Sequence, residues 1–267
     1  MISEEFLSKW MSISQNITFR YFLIAGLAFL IFHIIFKKPL HIRRIQSKFP
    51  KITDYGRDII YSLLTVLIFA TMATMVFWGV YPYTNMYRDI NEYGMAYYWL
   101  TIVLMFFIHD TYFYWMHRLM HYPKLFKHVH LIHHKSTNPS PWTSYAFHPL
   151  EAVIEAGIIP LIAFTLPVHP SALVLFLLLQ FIYNVYGHLG YELYPKNFHK
   201  SMIGRWINTG TAHNLHHKHF TGNYGLYFLI WDRTMGTLRE NYDSEYEKVT
   251  NKPLLSHLKA NHQNQAL

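Results

Sequence analysis

The strongest constraint on the fold is a set of long apolar segments, which ordinary soluble domains rarely carry. Three of them, residues 21–36 (extendable back through Ile17), 59–80 and 95–115, are long enough for helices that cross a hydrocarbon core about 30 Å thick. Charged residues make up only 14% of the chain, against roughly 25% in a soluble domain. The sequence therefore predicts an all-α integral membrane protein with three transmembrane helices.

A fourth apolar region is shorter and interrupted. Residues 156–168 contain Pro160, and after the turn at His169 and Pro170 the chain is apolar again over residues 171–187. This pattern predicts a helical hairpin whose two ends lie on the same side of the membrane. The sequence leaves open whether the hairpin crosses the membrane or dips in and returns.

Charge bias in the short loops predicts the orientation. The loop at residues 37–57 holds seven Lys and Arg residues, whereas the loop at residues 81–94 holds one. Because basic loops stay in the cytoplasm, we expect an outside N-terminus and a cytoplasmic, histidine-rich helical cap. The expected location is a bacterial inner membrane or the endoplasmic reticulum. The net charge of +8 then indicates contact with anionic lipid headgroups rather than nucleic acid.

The length of 267 residues suits one fold unit. We expect an N-terminal tail at residues 1–16, a membrane domain at residues 17–237 that holds all the chemistry, and a polar C-terminal tail at residues 238–267.

Histidine is the one compositional excess that points at chemistry, with 19 copies against 15 Asp and Glu residues together. Cysteine is absent, which excludes disulfides, thiolate metal sites and cysteine nucleophiles. Spacings of i, i+3 and i+4 place histidines on one helix face. A single pair at this spacing is usually solvated, but repeated clusters on one predicted side of the membrane indicate metal binding. The clusters are His117 and His121, then His130, His133 and His134, then His213, His216 and His217, with His188 between them.

The number of histidines indicates two ions. A zinc ion takes about four ligands, so eight or nine imidazoles are too many for one. Imidazole suits Zn, Cu, Fe and Ni, which leaves the metal open. The sequence lacks the His-Glu-x-x-His pattern of zinc proteases and the Glu-x-x-His pattern of carboxylate-bridged sites, which favours a non-haem di-iron oxygenase over a hydrolase.

Asp110 shares a face of the third predicted helix with His117 and His121. A carboxylate inside a spanning helix is costly and usually functional. We expect Asp110 to orient a metal ligand, with a helix-packing hydrogen bond as the alternative.

Two more polar residues share a helix face with His188, at intervals of four. They are Asn184, expected to support the site, and Glu192, expected to accept a hydrogen bond from a histidine. His148 opens the hairpin, where we expect a helix cap or a substrate contact.

The order His-x-x-x-His, His-x-x-His-His, His-x-x-His-His resembles the fatty acid hydroxylase superfamily of membrane di-iron enzymes. Several local stretches are similar to its sterol desaturase branch, and the resemblance covers roughly residues 110–237. These stretches are YWMHR at 114–118, NPSPW at 138–142, AFHPLE at 146–151, GHLG at 187–190, NYG at 223–225, WDR at 231–233 and GT at 236–237.

The resemblance implies a centre of two iron ions that activates O2 to hydroxylate, desaturate or demethylate a lipid. It assigns the eight clustered histidines as ligands, with His188 as a ninth. It does not identify the substrate, because the superfamily includes enzymes that act on sterols, acyl chains, carotenoids and ether lipids. Our leading hypothesis is a sterol-like or fatty-acyl lipid that enters from the bilayer through an apolar slot between the helices. Electrons are expected from a separate cytochrome b5-like or ferredoxin-like protein. The exact substrate, and the choice between hydroxylation and desaturation, stay open.

Two other functions fit a histidine-rich membrane protein. A metal-binding or metal-transport protein would place its ligands at mid-membrane, whereas here they are predicted at helix ends and in loops. A catalytically inactive member of the family, serving as a scaffold, would not need all three histidine motifs to be complete.

Overall fold

The structure, a computed structural model, describes residues 3–251. These residues form helices and connecting segments, and their β-structure is limited to two isolated bridges, Arg44 with Tyr191 and Ile207 with Phe228. The predicted all-α fold is therefore confirmed. The helices are α1 (Glu4–Phe29), α2 (Ile52–Thr74), α3 (Gly94–Met120), α4 (Pro123–Val129), α5 (Leu131–His134), α6 (Pro149–Ala156), α7 (Ile158–Thr165), α8 (Pro170–Gly187), α9 (Gly210–His219), α10 (Ile230–Thr234) and α11 (Tyr242–Thr250).

Side-chain caps explain where several helices begin. The Ser3 hydroxyl accepts a hydrogen bond of 3.1 Å from the backbone N–H of Phe6 at the start of α1. Helices α6 and α8 each begin with proline, which has no N–H to satisfy. The ring nitrogens of His148 and His169 each accept a bond of 3.2 Å from the first turn that follows. His148 thus has the capping role that was one of its two predicted roles.

Three helices are long and apolar enough to cross a membrane. They are α1 with its π-helical extension (Glu4–Ile35), α2 with its extension (Ile52–Gly79), and α8 (Pro170–Gly187). The first two match predicted spans, and the third is the second helix of the predicted hairpin. Helix α3, the remaining predicted span, is not among them, because His109 and Asp110 lower its mean hydropathy.

Helix α3 nevertheless runs from one end of the bundle to the other. At one end, the loop at residues 80–93 meets the turn of the hairpin, where the Asn85 N–H donates to the Ala163 carbonyl over 2.8 Å. At the same end, the Tyr97 hydroxyl in the first turn of α3 donates to the Pro167 carbonyl over 3.0 Å. The last turn of α3 carries the first histidine motif at the opposite end. The hairpin of α6, α7 and α8 therefore extends over the full height of α3.

The basic loop at residues 37–51 packs against the histidine-bearing end. The Ile45 N–H donates to the Gly190 carbonyl over 3.1 Å, and the Gln46 amide donates to Asn214 Oδ1 over 2.9 Å. The basic loop and the histidine motifs therefore share one side of the bundle, opposite the loop at residues 80–93.

The outer surface of the bundle is apolar. Phe19, Ile34, Ile60 and Val174 each expose more than half of their side chains. A continuous apolar surface of this kind is unfavourable in water and normal against lipid tails. This surface supports the membrane setting independently of helix length.

The structure differs from the predicted tails at both ends. Helix α1 begins at Glu4, so residues 4–16 belong to the first long helix. Helix α11 packs on α9, and its Tyr242 and Tyr246 are fully buried there with Leu215. A polar segment can fold in this way because these few apolar side chains lie on one helix face. The remainder of the predicted C-terminal tail, residues 252–267, lies outside the described residues.

The two ends of the bundle can be distinguished by labelling, because the native chain has no cysteine. Ser47→Cys, in the basic loop, and Tyr83→Cys, in the opposite loop, place exposed thiols at the two ends. In sealed vesicles, a membrane-impermeant maleimide is expected to label one variant from outside and the other only after permeabilisation. Labelling of both variants from the same side would contradict the arrangement.

Candidate metal centre

Nine histidines converge into two groups at one end of the bundle. Within each group the available ligand atoms lie within 4.8 Å of one another. Eight of the nine side chains are buried, and His121 is partly exposed. Group one comprises His117, His121, His130, His134 and His216. Group two comprises His133, His188, His213 and His217.

Helices α5 and α9 each contribute to both groups. In the motif carried by α9, His213 and His217 belong to group two, whereas His216 belongs to group one. In the motif around α5, His130 and His134 belong to group one, whereas His133 belongs to group two. Adjacent residues on a helix point about 100° apart, so the last two histidines of each motif face different groups. We expected each motif to present its three nitrogens to one region, and the structure instead divides each motif between two sites.

The ring nitrogens of group one face one another. Nε2 of His117 lies 3.0 Å from Nε2 of His130. Nε2 of His134 lies 3.1 Å from that of His121 and 3.0 Å from that of His216. Two imidazole nitrogens bound to one ion at about 2.0–2.1 Å are separated by about 2.9–3.4 Å at octahedral or tetrahedral angles. The spacing of group one therefore fits a shared metal ion.

Group two is arranged around His188. Nε2 of His188 lies 3.3 Å from that of His133, 3.1 Å from that of His213 and 3.2 Å from that of His217. The nitrogens of His213 and His217 are also 3.2 Å apart. Four imidazoles at these distances fill one coordination sphere, so the two groups together fit two ions.

Backbone carbonyls fix the tautomer of four of these histidines. A carbonyl oxygen can only accept, so each Nδ1 carries the hydrogen and each Nε2 keeps a lone pair for a metal. The pairs are His117 with Tyr224 (2.9 Å), His188 with Asn184 (2.8 Å), His216 with Gly222 (2.8 Å) and His217 with Ser136 (3.0 Å).

A carboxylate supports a fifth ligand. Nδ1 of His130 lies 2.7 Å from Oε1 of Glu151, and both side chains are buried. The second oxygen of Glu151 is buried without a hydrogen-bond partner. A neighbouring cation would stabilise the ionised carboxylate, and the carboxylate would in turn raise the basicity of His130.

Burial keeps the imidazoles outside the membrane-crossing helices neutral. It lowers the pKa of His188 to about 4. Burial, reinforced by neighbouring histidines, lowers the pKa of His133 and His213 well below the usual range. The same holds for His134 and His217. A neutral imidazole is the form that binds a metal, so at neutral pH no proton has to be removed first.

Two neighbouring cavities connect the metal centre with the bundle interior. The smaller, with an empty volume of about 280 Å³, touches both histidine groups, for example His117 and His188. The larger, of about 600 Å³, lies between α1, α2, α3 and the hairpin and is mostly apolar. Both are lined by Phe113, Phe147, Glu155 and Asn184.

The family model for fatty acid hydroxylases matches residues 102–237, about half of the chain and the region that carries all nine histidines. This chain belongs to the fatty acid hydroxylase family.

Within the family, the chain is similar to sterol desaturases. It is 31% identical to a Delta(7)-sterol 5(6)-desaturase of Gibberella zeae over 58% of this chain and 46% of the relative. It is 29% identical to a Delta(7)-sterol 5(6)-desaturase of Leptosphaeria maculans, over 85% of this chain and 60% of the relative. It is 28% identical to human lathosterol oxidase over 82% of this chain and 70% of that protein. The chain thus spans about half the length of the first of these relatives. No solved structure matches it.

Asp110 contacts none of the nine clustered histidines, contrary to expectation. Its Oδ1 accepts hydrogen bonds from the backbone N–H groups of Leu226, Tyr227 and Phe228, at 3.3, 2.8 and 3.1 Å. The carboxylate therefore holds a loop that crosses α3. The spacing correctly places Asp110 on the histidine face of the helix. The loop that binds Asp110, however, is more than 100 residues away in the sequence.

The other two predicted supporting residues also act differently. Asn184 supports His188 through its backbone carbonyl, while its side-chain amide donates to the Ser144 carbonyl over 2.8 Å. Glu192 contacts no histidine ligand, and instead accepts bonds of 2.9 and 2.8 Å from the N–H and hydroxyl of Thr211. It therefore fixes the first turn of α9 rather than a metal ligand.

Sequence reasoning missed Glu151 and Asp232. Asp232 accepts bonds from the N–H groups of Tyr224 and Gly225 at 2.9 and 2.8 Å, and so positions the carbonyl that meets His117. Both residues lie in stretches that resemble the family, and an acidic residue within a matched motif was the available signal.

The contacts predict different effects of neutralising two carboxylates. Glu151→Gln removes the negative charge beside His130 and is expected to weaken metal affinity roughly 10- to 100-fold. Asp110→Asn keeps an acceptor oxygen but weakens the charge-assisted bonds to a loop, and it is expected to reduce stability by about 1 kcal/mol or more with a smaller loss of affinity. Chelator competition and thermal unfolding measure the two effects. A larger loss of affinity in Asp110→Asn than in Glu151→Gln would contradict this assignment.

Proposed function

We propose that this chain is a membrane-bound, non-haem di-iron oxidoreductase that uses O2 to hydroxylate or desaturate a lipid. The observation that carries the proposal is the position of the two histidine groups, which adjoin the inner end of an apolar cavity between the long helices. Similarity to sterol desaturases supports a sterol-like substrate, and the apolar lining of the cavity is also compatible with a fatty-acyl chain.

The nine histidines are the proposed iron ligands, five for one ion and four for the other. An all-imidazole set admits several metals, and the family favours iron among them. When bound, the pair of iron ions would supply the reductive activation of O2 that unactivated C–H bonds require. Glu151 would hold His130 in place, and the four backbone carbonyls would hold their histidines with Nε2 directed at the ions.

The walls of the large cavity would position the lipid and exclude water. Ile17 and Phe69 come from α1 and α2, and Ile159 and Leu177 come from the hairpin. Phe113 and Phe147 line both cavities, so a lipid that passes between them reaches the histidines. Because the lipid leaves an environment that is already apolar, van der Waals contact with these walls, rather than the hydrophobic effect, would hold it in the cavity.

The reaction needs two electrons and two protons for each O2. Hydroxylation converts C–H to C–OH with one water, and desaturation removes two hydrogens with two waters. We propose that a separate cytochrome b5-like or ferredoxin-like protein supplies the electrons. Lys124, Lys127 and Lys218 support this proposal, since they are exposed near group one and have no ion-pair partner among residues 3–251.

The proposed orientation places the metal centre in the cytoplasm. The basic loop shares the side of the histidine groups, and basic loops are retained on the cytoplasmic side. A donor protein in the cytoplasm could then reach the centre without crossing the membrane.

The test is lipid analysis of host cells, with and without the gene, supplied with a Δ7-sterol or with fatty acids. We expect a product that has gained one oxygen atom or lost two hydrogens. His133→Ala and His216→Ala, one from each group, should abolish the product while protein remains in the membrane. An unchanged lipid profile with the native chain and a competent electron donor would contradict the proposal, as would full turnover in either variant.

A further inference from the structure

Arg20 is a cation near the middle of the first spanning helix, Glu4–Ile35. A charged side chain at this depth is costly, and when present it usually faces the protein interior and marks a functional path. Arg20 follows this rule, because it lines the large apolar cavity rather than the lipid-facing surface.

The surroundings of Arg20 leave part of its guanidinium unsatisfied. Its centre lies 5.9 Å from the ring centroid of Phe181, and the hydroxyl of Tyr145 is near enough to interact with its charge. Its Nε is buried without a hydrogen-bond partner. No carboxylate among residues 3–251 forms an ion pair with Arg20. A buried N–H without an acceptor is unfavourable, so an acceptor from outside the protein would stabilise the site.

A second hydrogen-bonding group lies on the same cavity wall. Gln180 of α8 lines the cavity next to Phe181, and its amide has no hydrogen-bond partner within the described part of the chain. It lies two helical turns before His188, an axial rise of about 12 Å. Asn184, one turn from each of them, lines both this cavity and the one at the metal centre.

We propose that Arg20 and Gln180 form a subsite for an oxygen atom at one end of an otherwise apolar lipid. The inference rests on the proposed function and adds the residues that would bind the hydroxyl or carboxylate oxygen of the lipid. Both groups can donate hydrogen bonds to such an oxygen. With the oxygen held there and the apolar body between Phe113 and Phe147, the subsite sets which carbon lies nearest the histidines.

The inference is tested by equilibrium binding to the purified full chain, measured by displacement of a fluorescent lipid. Two probe pairs are used, a Δ7-sterol with a free 3-hydroxyl against its 3-deoxy analogue, and hexadecanoic acid against hexadecane. We expect the native protein to prefer the oxygenated member of one pair about tenfold or more, as for a hydrogen bond to a charged donor. The pair that shows the preference identifies the oxygen as hydroxyl or carboxylate.

Arg20→Met and Gln180→Leu keep the approximate side-chain volume and remove the polar groups. Each is expected to reduce the preference at least threefold while the affinity for the oxygen-free lipid changes less than about twofold. Lys9→Met is the matched control on the same helix, because Lys9 lies over the Trp78 ring at 5.4 Å and does not line the cavity. The control should keep the native preference.

The outcomes separate this inference from the proposed function. Native protein that turns lipid over without preferring the oxygenated member of either pair would overturn the subsite alone. An unchanged preference in both Arg20→Met and Gln180→Leu would also overturn it. If Arg20→Met fails to fold, Gln180→Leu carries the test by itself. Absence of both turnover and lipid binding in the native protein would overturn the proposed function as well.

Discussion

The structure depends on the placement of neutral imidazoles with their lone pairs directed at one another. Burial favours the neutral form, and backbone carbonyls bind the Nδ1 hydrogen of His117, His188, His216 and His217. The Nε2 atoms of these four keep their lone pairs and lie 3.0–3.3 Å from Nε2 of neighbouring histidines. Between His188 and His217, and between His117 and His130, both rings carry their hydrogen on Nδ1, so two lone pairs face each other. Such lone pairs repel, and a cation between them converts the repulsion into coordination.

Several buried carboxylates around the site form hydrogen bonds to loops rather than to the clustered histidines. Asp110 and Asp232 together bind five consecutive backbone N–H groups, residues 224–228, and so fix the carbonyl of Tyr224 beside His117. Ser136, whose carbonyl meets His217, donates its hydroxyl hydrogen to Asp58 over 2.8 Å. Buried carboxylates in the helices therefore act on the metal centre through the backbone.

The sequence predicted which nine histidines converge, because repeated histidine spacing is a local pattern. It did not predict that each motif divides between two groups. The angle of about 100° between adjacent helical residues such as His133 and His134 would have allowed that prediction. The backbone carbonyls that accept the Nδ1 hydrogens could not be predicted, since no residue type in the sequence marks the position of such a carbonyl. Glu151 was missed, and the loop that Asp110 binds was not predicted, because the partners of both carboxylates lie on other segments of the chain.

The arrangement of the nitrogens leads us to propose that the two histidine groups hold two separate ions. The most direct measurement is elemental analysis of the purified protein, native and with one histidine of each group replaced. We predict about two iron ions per native chain, and about one in His134→Ala and in His213→Ala, because each variant damages one group of ligands. A single ion per native chain, or zinc in place of iron, would contradict the account.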